Sequence, residues 1–399
     1  MMESIASTIE FQMSLLLFVA LVGYFLASRI NQSVVICEIL VGLLIGPSLL
    51  GLITYTDFVR SVAHLGAIIL LFVIGLEFKL NDIFKIKYFV IALAGVVVPW
   101  ISGFYLAKLF GYGFGSAVFV GTALTATSIA ITANVLKEMG KLHTDAAKAI
   151  IGAAVIDDVL GLLALSFARD AISSKFSFMP ILWTFSKAFL FLVIGAYLGS
   201  KFLSKIVEKV DQSDITKKFP ESVFIFAMMI AFFYAMSAEL INLSAIVGSF
   251  IAGVSLGSAV IRHGRDYREG AEYFHIIFAS IFFVSLGILA DFHALTGSVL
   301  WFLFALTAVA ILTKVIGCYI PAKLQGMSHK DASIVGFGMS PRGEVAMIVA
   351  LIGLNSGIIK QDIYVSLVFM SLLTTMVTPF ILRNWFYKNQ NRNKTSSTA

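Results

Sequence analysis

Two adjacent aspartates stand in the run Ala154-Val155-Ile156-Asp157-Asp158-Val159-Leu160-Gly161, at the midpoint of an apolar stretch from about 144 to 168. A carboxylate in such surroundings costs several kcal/mol, and two adjacent ones cost more, so ion or proton handling explains them better than packing does. Successive helical residues point about 100° apart. One carboxylate can therefore face a water-filled cavity while the other faces a partner helix. Lys314, flanked by Thr313 and Val315 near the middle of another apolar stretch, is the natural partner. Its long stem carries a compact charge that deprotonates readily when buried. Snorkelling to an interface is the blander reading, and the depth of Lys314 counts against it.

Two further stretches carry polar groups at mid-membrane depth. One contains Thr122, Thr125, Thr127, Ser128 and Thr132. The other reads Gly336-Phe337-Gly338-Met339-Ser340-Pro341-Arg342-Gly343-Glu344. Proline with three glycines and two charges is incompatible with a continuous lipid-facing helix. Hydroxyls alone can simply bond preceding carbonyls and pack between helices. Two disrupted segments at corresponding places in two halves favour interrupted helices, whose carbonyls, hydroxyls and half-helix ends face a midplane cavity. Such oxygen ligands suit a hard monovalent cation. Arg342 and Glu344 are expected to satisfy half-helix ends and neighbouring carboxylates. Glu77, close to the end of its stretch, reads as structural. His64, His143, His263, His275, His293 and His329 fall near stretch ends or in connections, where pH could act, but an interfacial role is the preferred reading for each.

The elements that must position these residues follow from composition. Of 399 residues, 59% are hydrophobic and only 13% charged, too few to cover a soluble surface. Windows of about 20 apolar residues recur at 10–28, 34–52, 63–80, 86–108, 115–135, 144–168, 180–204, 219–240, 243–260, 270–290, 298–322, 331–354 and 361–386. They predict an all-α polytopic membrane protein of thirteen spans. The net charge of +6 needs no nucleic acid. With the N-terminus outside, Lys and Arg gather in the cytoplasmic connections, leaving only Arg60, Lys108, Arg169, Lys175, Lys187 and Lys360 outside, as the positive-inside rule requires. Glu3 and Glu10 with no basic n-region make a poor signal peptide, so Phe11 to Ser28 is expected to be retained as a helix. Cys37 and Cys318 have neither disulfide-framework nor metal-ligand spacing. From Lys388 the chain is polar and expected to be disordered, with no nucleotide-sensing domain appended.

An internal repeat adds architecture. Val41-Gly42-Leu43-Leu44-Ile45-Gly46-Pro47-Ser48-Leu49-Leu50-Gly51 in the second span matches Val247-Gly248-Ser249-Phe250-Ile251-Ala252-Gly253-Val254-Ser255-Leu256-Gly257 in the ninth. Each is followed by Phe-Val before a glycine: Phe72-Val73 before Gly75, and Phe283-Val284 before Gly287. Glycine-rich membrane helices can look alike by chance. Yet copies seven spans apart cross in opposite directions, which is the inverted repeat of secondary transporters. It pairs span two with nine, four with eleven, five with twelve and six with thirteen.

Thr125-Ala126-Thr127-Ser128, Asp157-Asp158, Lys314 and Pro341-Arg342-Gly343-Glu344 together resemble the second class of monovalent cation/proton antiporters, with the nearest likeness to NapA-type sodium/proton antiporters. The resemblance covers nearly the whole chain. It implies an NhaA-like antiporter fold with two interrupted crossing helices. It also implies a homodimer, with a dimerisation scaffold (1–80 and 219–290), a mobile core (86–168 and 298–386), a linker helix (180–204) and a tail (387–399). Asp158 would bind sodium or the proton, Asp157 beside it would be a further ion-binding carboxylate as well as the partner of Lys314, and Thr127 and Ser128 would add ligands. No organic cofactor is implied. Membrane lipids would be the surroundings, in the cytoplasmic membrane. Potassium-moving relatives gated by glutathione usually have glutamine for the first aspartate and a long cytoplasmic nucleotide-binding tail, neither of which is present here.

The reading is exchange of sodium or lithium for protons, with electrogenic transport expected from the second titrating pair. Potassium/proton exchange and sodium-coupled symport of an organic solute are the alternatives. A channel needs a continuous pore. An intramembrane aspartyl protease needs its aspartates on different helices.

Overall fold

The computed structural model describes residues 8–172, 178–257, 259, 264–294 and 297–388. The polar tail from 389, Lys175, and His263 with its neighbours at 260–262 lie outside the described residues.

Helices form over the apolar windows. We label them α1 (Ile9–Ile30), α2 (Val34–Ile45), α3 (Asp57–Gly75), α4 (Ile86–Leu109), α5 (Phe114–Thr125), α6 (Ile129–Glu138), α7 (Asp145–Ile172), α8 (Phe178–Leu198), α9 (Ser222–Leu240), α10 (Ala245–Leu256), α11 (Gly264–Ile288), α12 (Gly297–Leu324), α13 (His329–Gly338), α14 (Glu344–Asn355) and α15 (Gln361–Ile381). The side chains of Thr8, Thr56, Ser244 and Ser328 cap α1, α3, α10 and α13 by accepting from backbone amides in the first turn. Every predicted span corresponds to one helix or, for spans five and twelve, to two half-helices. Ten helical segments among the described residues are long and apolar enough to cross a bilayer. Leu21, Trp183, Trp301 and Trp385 are well exposed on the outside of the bundle, as lipid-facing residues should be.

Some predicted limits are corrected. The span expected over 34–52 is helical only to Ile45. Gly46 precedes Pro47 and is extended, because the proline ring disfavours helical backbone before it, and Gly51 then turns the chain with φ +60°. The span expected to 260 is helical only to Leu256. The span expected from 63 begins at Asp57. The span expected over 180–204 continues through a π turn, Gly199–Leu203, into a helix ending at Asp211.

The helices pack in two groups. In one, α2 and α10 lie against α11 and α3, with α1 on α2 and α9 on α10. In the other, α4 packs on α5, α7 and α12, and α12 on α13 and α15, while α14 lies on α5 and α15. The segment α8 touches α7 on one side and α10 on the other. Contacts between the groups run mainly through α6, which meets α3 and α2, and through α15 against α2.

Glycine contacts reveal the repeat and correct its register. A Cβ at Gly42 would strike the Val284 carbonyl, and one at Gly287 would strike the Ile39 carbonyl. A Cβ at Gly253 would strike the Phe72 carbonyl, and one at Gly75 the Phe250 carbonyl. In each pair the glycine meets the carbonyl three residues before the partner glycine. Gly42 is therefore equivalent to Gly253, five residues beyond the Gly248 of the sequence alignment. Gly248 instead packs on Tyr234 of α9. The contacts pair span two with nine, as expected, but a small-residue helix offers several registers, and only the close approach of two backbones chooses among them. The second half of the repeat follows suit: Gly121 faces the Trp100 carbonyl as Gly336 faces that of Val315.

Candidate ion-binding site

The two interrupted segments cross at their breaks. The chain is non-helical over 126–128 and again from Met339 to Gly343. Ser128 N donates to the Pro341 carbonyl at 2.9 Å, and the Thr127 hydroxyl to the Met339 carbonyl at 3.3 Å. The Thr132 hydroxyl donates to the Gly338 carbonyl at 2.6 Å. A Cβ on Gly343 would lie 2.7 Å from Ser128 Oγ, so only glycine lets the segments meet this closely. The remaining hydroxyls of the first segment bond nearby carbonyls, Thr122 that of Val118 and Thr125 that of Thr122, as ordinary membrane-helix hydroxyls do, and Thr122 also accepts from Trp100 Nε1 of α4 at 3.2 Å.

A break exposes carbonyls at one half-helix end and amides at the other, giving partial negative and positive charge. Lys314 serves the end of α5. Its Nζ donates to the Thr125 carbonyl at 2.8 Å and to Asp157 Oδ1 at 2.9 Å, and both side chains are essentially fully buried. Arg342 serves the end of α13, donating to the carbonyls of Ser340 and, at 3.1 Å, Ala310. Arg342 is expected to meet a neighbouring carboxylate as well. Its hydrogen bonds go to carbonyls, because the guanidinium fork turns back on its own half-helix end, while Asp157 lies within electrostatic reach. Thr374 and Thr375 hold the Arg342 backbone. Glu344 opens α14 and places its carboxylate at the positive end of that half-helix.

Asp158 faces elsewhere. It lines a small cavity of about 20 Å³ with Thr127, Ser128, Gly343 and Glu344 from the breaks, and Ser244, Val247 and Phe282 from the other helix group. Its Oδ2 is buried with no hydrogen-bond partner. A cavity of this size admits one water-sized guest. Glu344 and Phe282 also line a larger cavity of about 440 Å³, with Tyr55, Arg60, His64 and Tyr364. The site therefore brings together Asp158, Thr127, Ser128 and Glu344, with Asp157, Lys314 and Arg342 forming the buried frame behind them.

The other polar residues sort themselves by geometry. Glu77 pairs with His143 at 3.6 Å, and His64 with Glu239 at 3.2 Å. His293 meets Asp291, and His329 meets Tyr319. His275 departs from its expected interfacial place. It lies well inside α11, 7% exposed, with Nε2 3.1 Å from Asn134 Oδ1, because the helix begins earlier than the apolar window suggested. Sequence reasoning missed Ser244 and Phe282, which carry no signal beyond a cap and an apolar ring. It also passed over Glu38, a carboxylate inside an apolar run that the rule applied to Asp157 and Asp158 would have flagged.

This fold, with two crossed broken helices and a carboxylate–lysine pair beside a second carboxylate, defines a multi-pass membrane transporter. Residues 16–388 match the family described as sodium/hydrogen exchanger, transmembrane, and the chain belongs to that family of cation/proton antiporters. It is 32% identical over 378 residues to the Na+/H+-K+ antiporter GerN of Bacillus cereus, covering 94% of this chain and 96% of that one. It is 34% identical over 376 residues to a Na+/H+ antiporter of Enterococcus hirae, covering 92% and 96%. Among solved structures, the fold resembles the sodium proton antiporter MjNhaP1 of Methanocaldococcus jannaschii, with a TM-score of 0.69 at 18% identity over 96% of this chain and 97% of the other.

Proposed function

We propose that this chain exchanges sodium for protons by alternating access, with Asp158 as the carboxylate that takes the two in turn. The carrying observation is the cavity of about 20 Å³ that Asp158 shares with both breaks and with Ser244, Val247 and Phe282 of the opposite helix group. A dehydrated monovalent cation needs several oxygens, and Asp158, Glu344, Thr127 and Ser128 are the candidates. Because its walls belong to two groups, displacement of one group against the other opens the cavity to alternate membrane faces. A bare carboxylate is costly at this depth, so only a loaded site moves readily, and exchange follows.

Asp157 and Lys314 have a different task in this reading. They form a second titrating pair, so more than one proton can move per cation and transport is electrogenic. The reading also includes NapA-type membership, lithium as an alternative cation, and a cytoplasmic membrane with the N-terminus outside. The α1–α3 and α9–α11 group is the dimerisation scaffold of a homodimer, α4–α7 and α12–α15 are the mobile core, and α8 is the linker. Potassium is the second reading, favoured by the name of the relative GerN.

The test is dequenching of a pH dye in proteoliposomes on adding sodium, lithium or potassium in turn, with no organic solute. Sodium-driven proton movement that Asp158→Asn abolishes is the expected result. Proton movement in that variant at the wild-type rate overturns the assignment, and a response to potassium alone selects the second reading.

A further inference from the structure

We infer that Glu38 is a second ion-handling carboxylate, one that takes a monovalent cation or a proton on its way between Asp158 and the membrane face at which α2 begins. The inference rests on the exchange reading above and adds a site to it.

Glu38 sits between Cys37 and Ile39 in a helix that is otherwise apolar, and it is 1% exposed. It has room there because Gly23 of α1 lies opposite, where a Cβ would come 2.8 Å from Glu38 Cγ. Its Oε1 is buried and has no hydrogen-bond partner. Glu38 lines a cavity of about 290 Å³ with Tyr24, Asn134, Glu138, Glu272 and His275.

The other charged groups facing this cavity are already engaged. Lys137 Nζ lies 2.6 Å from Glu272 Oε2. Glu138 accepts from the Ser33 hydroxyl at 2.8 Å, from Val34 N at 3.3 Å and from Asn134 at 3.2 Å. His275 meets Asn134 through Nε2 and stands 3.7 Å from Glu272 through Nδ1. The Ser280 hydroxyl hydrogen-bonds the Glu38 carboxyl, but it carries no charge. A carboxylate buried at this depth without a fixed cation is balanced by a mobile one or by a proton.

The position matches a route. Residues 127–130 line the Asp158 cavity, whereas Asn134, Lys137 and Glu138 line the Glu38 cavity. Ala130 and Asn134 are one turn apart on α6, about 6 Å along the axis. On α11, Phe282 borders the Asp158 cavity and the adjacent Phe283 the Glu38 cavity. The two cavities thus share α6 and α11 as walls, with linings one helical turn apart on α6 and adjacent on α11. The cavity of about 440 Å³ on the other side of Asp158 presents Arg60 and His64 along with Glu344, so the two approaches differ in charge.

The experiment is sided exchange in proteoliposomes with Glu38→Gln, Glu38→Asp and wild type. Glu38→Gln should raise half-saturating sodium about tenfold from the face where α2 begins. It should leave the saturating rate and the response from the opposite face near wild type, since it removes binding and not the carrier step. Glu38→Asp should restore the lost affinity. A second measurement needs no variant at Glu38: modification of Glu38 by dicyclohexylcarbodiimide, read by peptide mass spectrometry, should be slowed by sodium but not by choline. That protection should persist in Asp158→Asn, which separates this site from the Asp158 assignment. Unchanged affinity from both faces, an equal loss from both faces, or modification that sodium does not slow would each overturn the proposal.

Discussion

Lys314 Nζ stands 2.9 Å from Asp157 Oδ1 and 2.8 Å from the Thr125 carbonyl, so one ammonium joins a buried carboxylate to the end of a broken helix. Asp158, the next residue, opens onto another cavity and is left out of that pair.

Removing one member of the pair leaves an uncompensated charge, at a cost of roughly 3–5 kcal/mol. Asp157→Asn and Lys314→Ala should each lower the melting temperature in detergent. The double variant should lose less than the sum, since neither charge is stranded. Exchange should persist in the double variant but lose its charge movement, read as membrane potential in the same proteoliposomes. Additive destabilisation with an intact potential would show that the two residues act independently.

The hydroxyls at the crossing should serve the cation more than the fold. Thr127→Ala with Ser128→Ala is expected to raise half-saturating sodium roughly thirtyfold, about 1 kcal/mol for each lost ligand. Melting temperature should move little. Unchanged affinity beside a collapse in stability would make these hydroxyls packing groups.

The glycine crossings should be intolerant of a single methyl group. Gly42→Ala and Gly253→Ala push a Cβ into the carbonyls of Val284 and Phe72, and overpacking of this kind costs about 1–3 kcal/mol. Gly113→Ala, where a Cβ meets nothing within 4 Å, is the control and should leave the melting temperature nearly unchanged. Equal tolerance at all three positions would contradict the backbone contact.

Outside the spans, Asp82 is held below the usual carboxylate range, first by its hydrogen bond from Lys148. A depressed folded pKa gives stability that is present above the unfolded value of about 3.9 and lost as pH falls through the folded value. Wild type should therefore melt higher than Lys148→Met at neutral pH, and the gap should close as the pH is taken below about 4. A gap that stays constant down to pH 3 would remove Asp82 from the explanation.

Much of this molecule is written in its linear pattern. Apolar windows bounded by charge fix where helices form, because the bilayer leaves backbone polar groups no partner outside a helix. Intramembrane charges announce themselves, so Asp157, Asp158, Lys314, Arg342 and Glu344 are visible without coordinates. Pro341 among glycines marks one break unaided, while Thr127 and Ser128 mark the other only in company with it. The Gly42–Gly253 equivalence was not legible, since a glycine-rich helix can slide by a turn at little change in composition. Nor were Ser244, Phe282 and the bonds of Arg342, which depend on which helix arrives opposite. Whether a carboxylate has a partner or a cavity is decided by side chains far away in sequence. The sequence determined which residues could carry charge in the membrane; packing alone decided that Asp157 meets Lys314 while Asp158 and Glu38 line cavities.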